Sequence, residues 1–264
     1  MFHDCAFVGK ELGEYLKSNK GFDVSFLSYP MQTKVSVPFM AQKLRKYCDK
    51  ETLVHVHYCR YPAYVAMLSR KPYIIHCHGT DVRYGLNWWQ KQALKKSKKN
   101  IISVLDIHTY IQNPIYLPRP INTQKFYSTK AHEGNKVLYI KKSYEDQSEK
   151  LARFCKEFGF DLTIKQHMAI PYEEMPRFLN EFDIFVDQRV FFPEPSKTGL
   201  EAIACGLAVV TPCDDLETTL ESFKDLDKRE KMVTLQNSKF MTKHALDEVA
   251  NQLLQIYEKV FANL

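Results

Sequence analysis

Long apolar runs are missing from this sequence. No stretch approaches the roughly 18 consecutive apolar residues that a membrane-spanning helix needs, and the N-terminal MFHDCAFVGKEL has no signal-peptide core, so neither a spanning segment nor a secretory leader is expected. A disulfide framework is missing too. The seven cysteines are an odd number scattered singly through segments that read as strands and helices, which fits reduced thiols in the cytoplasm. Neither a C-x2-C pair nor an H-E-x-x-H helix occurs, so the usual zinc spacings are absent. Repeats and low-complexity runs are also lacking.

What is present is a globular composition. At 264 residues and 45% hydrophobic content the chain can build one large or two modest domains with real cores. A formal charge of +6 implies anionic partners without choosing among them. Its distribution says more: Lys91, Lys95, Lys96, Lys98 and Lys99 follow Trp88 and Trp89 on one expected helix. Cation beside interfacial aromatic suits an anionic membrane surface, and a solvated helix face is the competing reading. A nucleic-acid partner is not expected, because no recognition motif accompanies the lysines.

Strand and helix alternate along the chain, which predicts parallel βαβ units. In the first half the expected strands are Val24–Leu27, Leu53–His57, Tyr73–His78 and Ile101–Leu105, and the helices are Phe7–Leu16, Phe39–Cys48, Ala63–Ser69 and Leu86–Lys98. A doubly wound domain normally opens with a strand, so the first strand is expected to be abbreviated to Met1-Phe2-His3. Two prolines in Tyr116–Asn122, followed by polar residues to Asn135, mark the domain boundary. Domains are therefore expected at 1–122 and 123–245, with an amphipathic helix, 246–264, packing back on the first. The second half is expected to hold strands Val137–Ile140, Leu162–Gln166, Phe182–Asp187 and Ala208–Val210 and helices Glu149–Phe158 and Thr198–Cys205.

Three groups of residues carry candidate chemistry. Thr198–Cys205 has Ser196 and Thr198 as N-caps, and its N-terminus, beside Lys197, suits a phosphate at a parallel-sheet edge. His78 closes a buried strand at the Gly79 turn, where parallel sheets place catalytic loops. His55, His57, Cys59, His76, Cys77 and His78 invite a metal reading, since i and i+2 on a strand share a face, His55 with His57 or His76 with His78. Strand histidines are usually satisfied by hydrogen bonds, and no metal is expected. Asp214-Asp215 reads as a helix N-cap.

GLEAIACGLAVVT, with Glu194 seven positions before Glu201, resembles the second signature of the retaining "group 1" (family 4-like) glycosyltransferases of the GT-B fold, in which eight positions separate the glutamates. HVHY followed by HCHGTDVR resembles the same family's strand-end histidine motifs, and LPRPIN its domain-closing segment, with Arg119 where Asn is usual. The resemblance runs in order over nearly the whole chain. It implies an α/β fold of two Rossmann-like domains facing a cleft, and transfer of a sugar from a nucleotide-sugar donor to an acceptor hydroxyl. By residue, it implies that Glu201 grips the ribose, Glu194 meets the donor sugar, and His78 lies at the reacting centre. Gly9 would stand at the first phosphate turn, with Gly79, Lys197, Thr198 and Gly199 also in the donor site. Lys142 (or Lys141) and Lys150 would replace the family's Arg and Lys beside the diphosphate; Asp81 and Arg83 are candidates for an acceptor hydroxyl or for structure. No metal cofactor is implied. The acceptor would be a glycan or a lipid-linked sugar, and the location cytoplasmic, peripheral on the inner membrane face. Rivals are an epimerase or phosphorylase on the same fold, and a non-catalytic binding subunit.

Overall fold

Short apolar runs separated by helical segments give two all-parallel four-stranded sheets in the computed structural model. Residues 7–27, 36–141, 147–166, 169–187, 194–211 and 213–263 are described. They divide into one unit of Met1–Pro120 with Leu246–Leu264 and a second of Ile121–Ala245.

The first unit contains α1 (Val8–Lys20), α2 (Val37–Tyr47), β1 (Val54–His57), α3 (Tyr61–Ser69), β2 (Tyr73–Cys77), α4 (Trp88–Lys96), β3 (Asn100–Ile102) and β4 (Ile115–Tyr116), with strand order β1-β2-β3-β4. Both sheet faces are covered, as parallel sheets require. Val54, Val56, Tyr73, Ile75 and Cys77 pack on one side with residues of α2, α3 and α4. Helix starts follow the capping rules: Ser36 Oγ accepts from Phe39 N at 3.4 Å, and Asn87 with Gln90 forms a reciprocal capping box on α4.

The second unit contains β5 (Lys136–Lys141), α5 (Ser148–Phe158), β6 (Asp161–Gln166), α6 (Met175–Leu179), β7 (Ile184–Val186), α7 (Lys197–Ala204), β8 (Ala208–Val210), α8 (Leu216–Ser222), α9 (Leu226–Gln236) and α10 (Thr242–His244), ordered β6-β5-β7-β8. Its sheet likewise carries one core around Leu138, Phe185 and Val209 and another around Val137, Ile184 and Val210. The last helix, α11 (Leu246–Phe261), returns to the first unit, where Val249, Leu253 and Ile256 pack with Val8, Leu12 and Ile74. Among the described residues no helix is long and apolar enough to cross a membrane.

Some expectations change. Val24–Leu27 is not a strand; Val24 and Leu27 pack at the margins of the two cores without joining a ladder, while Ser25 and Phe26 stay exposed. The strand expected over Ile101–Leu105 ends at Ile102, because Leu105 already begins a 3-10 turn, Leu105–Tyr110. Helices α8 to α10 have no forerunner in the pattern reading beyond Asp215, whose side chain accepts from Thr218 N at 2.9 Å as the N-cap of α8. Met1-Phe2-His3 lies outside the described residues.

On the face opposite Val54 and Val56 the first sheet carries stacked imidazoles. His57 and His76 are in register across β1 and β2, and ring centroids lie 4.4 Å apart for His55–His57, 5.0 Å for His57–His76 and 4.5 Å for His76–His78. His55 Nδ1 pairs with Tyr257 Oη of α11 at 2.6 Å, His76 Nε2 with Ser103 Oγ at 2.6 Å, and His57 Nδ1 with His78 Nε2 at 3.0 Å. The second nitrogens, His55 Nε2, His57 Nε2 and His76 Nδ1, are buried without hydrogen-bond partners. A buried orphan N–H is the costlier choice, so each ring's proton is assigned to its partnered nitrogen. Potential ligand atoms of His55, His57 and His76 lie within 4.8 Å of one another. The ring planes are 27° apart for His55–His57, 14° for His55–His76 and 40° for His57–His76.

Burial keeps the ladder neutral. It lowers His55 from 6.5 to about 3, with the His78 charge adding to the effect, and depresses His57 and His76 well below 6.5. The unfolded chain therefore takes up protons that the folded chain refuses. Stability is fully present above pH 6.5 and is lost as pH falls from there toward 3. Each ring contributes a slope of about 1.4 kcal/mol per pH unit. Urea midpoints should fall steeply below pH 6.5, and His55→Gln should reduce that slope by about a third; a variant with unchanged slope would show that His55 already titrates normally.

Candidate functional site

The functional candidates gather at two strand-end sites, one in each unit. In the first unit, Asp81 organises the ends of β1 and β2. Its Oδ1 accepts from His78 N at 3.0 Å and Gly79 N at 2.9 Å, and its Oδ2 from Cys59 N at 2.7 Å. Gly79 has φ of 117°, and a Cβ there would lie 2.7 Å from Arg83 Nη2, so the turn admits only glycine. Arg83 Nε donates to Asp106 Oδ2 at 2.7 Å. Asp81 and Arg83 thus hold the loop, and His78, half-buried, leaves it tethered to His57.

In the second unit, α7 begins behind the end of β7. Ser196 Oγ accepts from Gly199 N at 3.1 Å, and the buried Asp187 carboxylate accepts from Ser196 N. A Cβ at Gly199 would collide with that carboxylate, which explains the glycine by close approach. One turn of helix brings Lys197 Nζ to 3.1 Å from Glu201 Oε1, with the residues 6% and 3% exposed. Lys197 Nζ also donates to Tyr172 Oη at 2.8 Å. Glu194 Oε1 accepts from Lys243 Nζ of α10 at 2.7 Å.

Lys197, Thr198, Gly199 and Glu201 therefore share the first turns of α7, with Glu194 just before them. Lys150 is exposed on α5, its Nζ 5.6 Å from the Phe154 ring and its charge helping to lower the Asp215 pKa after the Thr218 hydrogen bonds. Gly9 is buried in the first turn of α1, and Lys141 ends β5. Lys142 lies outside the described residues. Sequence reasoning missed Lys243 and Tyr172 as partners, because nothing local connects Lys243 to a glutamate 49 residues earlier.

No family model matches the chain, and no curated protein matches it. Solved structures do. HepE from Anabaena, determined with UDP and glucose, superposes with a TM-score of 0.65 at 11% identity over 88% of this chain and 86% of that one. A glycosyltransferase from Rickettsia africae gives 0.64 at 13%, covering 97% and 94%, and sucrose-phosphate synthase from Thermosynechococcus elongatus gives 0.64 at 14%, covering 91% and 82%. Identities this low speak for architecture alone. The chain has the GT-B fold of these glycosyltransferases.

The Lys197–Glu201 pair makes a direct test of α7. Removing one member of a buried pair leaves an uncompensated charge, costing about 3–5 kcal/mol, whereas removing both avoids that penalty. Lys197→Met should lower unfolding stability by roughly that amount, and Lys197→Met/Glu201→Gln should recover most of it. Additive losses in urea denaturation would indicate that the two side chains are energetically independent.

Proposed function

We propose that the protein is a retaining glycosyltransferase that moves a sugar from a nucleotide-sugar donor to an acceptor hydroxyl. The observation that carries this reading is the start of α7, where Glu201 and Lys197 are fixed together beside a capped helix N-terminus at the edge of a parallel sheet. HepE, similar in fold, has been solved with UDP-glucose, which makes that molecule the first donor to test.

In this reading Glu201 accepts the ribose hydroxyls, and the first N–H groups of α7 with Lys197 meet the diphosphate. Glu194 and His78 are assigned to the donor sugar. The bond from the anomeric carbon to the diphosphate oxygen breaks, the acceptor oxygen bonds to that carbon from the same face, and the acceptor proton passes to the departing phosphate. No protein carboxylate is needed as base. The residues' work is orientation and stabilisation of the phosphate charge. His57, donating Nδ1–H to His78 Nε2, fixes the ring assigned to the reacting centre.

UDP-glucose at 100 times its dissociation constant should raise unfolding stability by about 2.7 kcal/mol. Glu201→Gln, destabilised by the unpaired Lys197 but still folded by circular dichroism, should lose most of that gain; an unchanged gain removes Glu201 from the donor site. His78→Ala should lower kcat more than donor affinity, since its contacts act on the transition state. A loss confined to KM contradicts that role, and donor binding without transfer or hydrolysis in the native protein favours a non-catalytic binding subunit.

The membrane part of the proposal rests on α4. Gln90, Ala93 and Leu94 are its buried positions, leaving Trp88, Lys91, Lys95 and Lys96 together on the outward face of a 3.6-residue helix, with Lys98 and Lys99 exposed just beyond. Trp rings settle at headgroup level, and each lysine adds on the order of 1 kcal/mol at an anionic surface. Co-sedimentation with anionic vesicles should fall steeply with salt and vanish when Lys95, Lys96, Lys98 and Lys99 become Glu. A wild-type protein that stays in the supernatant at low salt marks α4 as a solvated face.

A further inference from the structure

The first unit holds a cavity of about 790 Å³ between the start of α2, α3 and the segment from β2 into α4. Small-molecule sites commonly occupy about 300–1,000 Å³. Thr80 and Asp81, in the loop that begins at His78, form part of its wall.

The polar groups at that wall are already engaged. Asp81 holds three backbone N–H groups, and Gln90 Nε2 donates to Cys59 O at 2.7 Å and Asp81 O at 2.8 Å. Asn87 Oδ1 accepts from Gln90 N at 2.9 Å. Among the described lining residues, the cavity offers a ligand aromatic surface and the Arg60 cation. Tyr84 is 76% exposed and Trp89 49%, with Tyr61 also exposed across the opening. Arg60 donates Nη2 to Thr80 O at 3.2 Å, and among the described residues no carboxylate pairs with its guanidinium. Five N–H donors in a planar fork suit a phosphate better than any neutral group. Val37, Pro38 and Leu68 supply an apolar margin.

We infer that this cavity takes the acceptor as a sugar joined through phosphate to a lipid. The sugar ring lies on Tyr61, Tyr84 and Trp89, the phosphate on Arg60, and the first carbons of the lipid on Val37, Pro38 and Leu68. The inference rests on the glycosyl-transfer reading, since it is the shared loop with His78 that makes the occupant an acceptor. A soluble acidic glycan accounts for Arg60 and the rings. It leaves unexplained the exposed Phe39 beside the apolar margin and Trp88, 62% exposed, beside Trp89 at the head of the lysine face of α4. Grouped exposed rings of this kind, with Tyr61 near Tyr64, Tyr64 near Trp89 and Trp88 against Trp89, mark an interaction surface.

Trp88 and Trp89 are the chain's only 2 tryptophans, so intrinsic fluorescence reads this cavity directly. Farnesyl-diphosphoryl-N-acetylglucosamine is the probe, added without vesicles. Saturable change in tryptophan emission is expected, with affinity reduced about tenfold or more by Arg60→Gln and reduced by Tyr84→Ala, while the UDP-glucose thermal shift of both variants stays at the wild-type value. Absence of a response, or equal affinity in wild type and both variants, overturns the assignment. Equal affinity for soluble N-acetylglucosamine 1-phosphate overturns the lipid part and makes the acceptor a soluble phosphorylated sugar. Should the probe bind in this way but UDP-glucose give no shift, the donor reading fails and the cavity stands as a lipid-linked sugar site.

Discussion

The carboxylate of Asp81, accepting N–H groups from Cys59, His78 and Gly79, ties together the loops that leave two paired strands. Burial pushes its pKa up from the carboxylate range and the backbone donors pull it down, so the charge is tolerable only while those bonds are kept. Gln90 completes the arrangement. Its Nε2 holds Cys59 O and Asp81 O while its Oε1 accepts from Asn87 N at 2.9 Å in the cap of α4. The direction of α4, the turn at Gly79 and the emergence of His78 are therefore one coupled choice. A buried polar network with its members satisfied specifies geometry as well as stability, and here it specifies the rim on which the proposed chemistry takes place.

The same unit separates two uses of aromatic and imidazole rings. Below the rim, histidines are stacked against α11 and kept neutral by burial, so they act as packing residues with directed hydrogen bonds. Above it, Tyr61, Tyr84, Trp88 and Trp89 stay exposed although each could bury on the order of 150–250 Å². What sets these rings apart is their grouping, with Tyr61 near Tyr64, Tyr64 near Trp89 and Trp88 against Trp89, and the proposed acceptor cavity uses that group.

Much of the architecture was legible because parallel sheets bury both faces, which turns β2, β5 and β8 into short apolar runs between helices. The i, i+2 spacing of His55 and His57 correctly placed both on one face. Pattern could not say whether four apolar-rich residues at Val24–Leu27 find a strand partner, since pairing is decided by distant chain. Helices α8 to α10 escaped for a related reason: α9 is mostly polar, and its Arg229 and Gln236 are buried through hydrogen bonds to Phe223 O and Val209 O rather than through an apolar stripe. At the candidate sites, motif residues Lys197 and Glu201 were visible because their spacing of four is local. Lys243, Tyr172 and Arg60 were not, since each acquires its place only when separate elements pack.

Charge at α7 is already balanced before any ligand enters. Lys197 is matched by Glu201 and Lys243 by Glu194, so in the proposed donor complex a diphosphate does not simply neutralise idle cations. It competes with carboxylates for them, and the ribose hydroxyls compete with lysine for Glu201. Such an exchange yields less net energy than a new ion pair, because every bond the ligand forms there displaces one that the protein already makes. The helix N-terminus adds the partial positive charge of its N–H dipoles, shared there with the Ser196 cap on Gly199 N and the Asp187 carboxylate on Ser196 N. In this reading donor affinity depends on the backbone of α7 as well as on the side chains around it. The strict glycine at 199, forced by the Asp187 carboxylate, then serves binding indirectly, by holding that backbone where the strand ends.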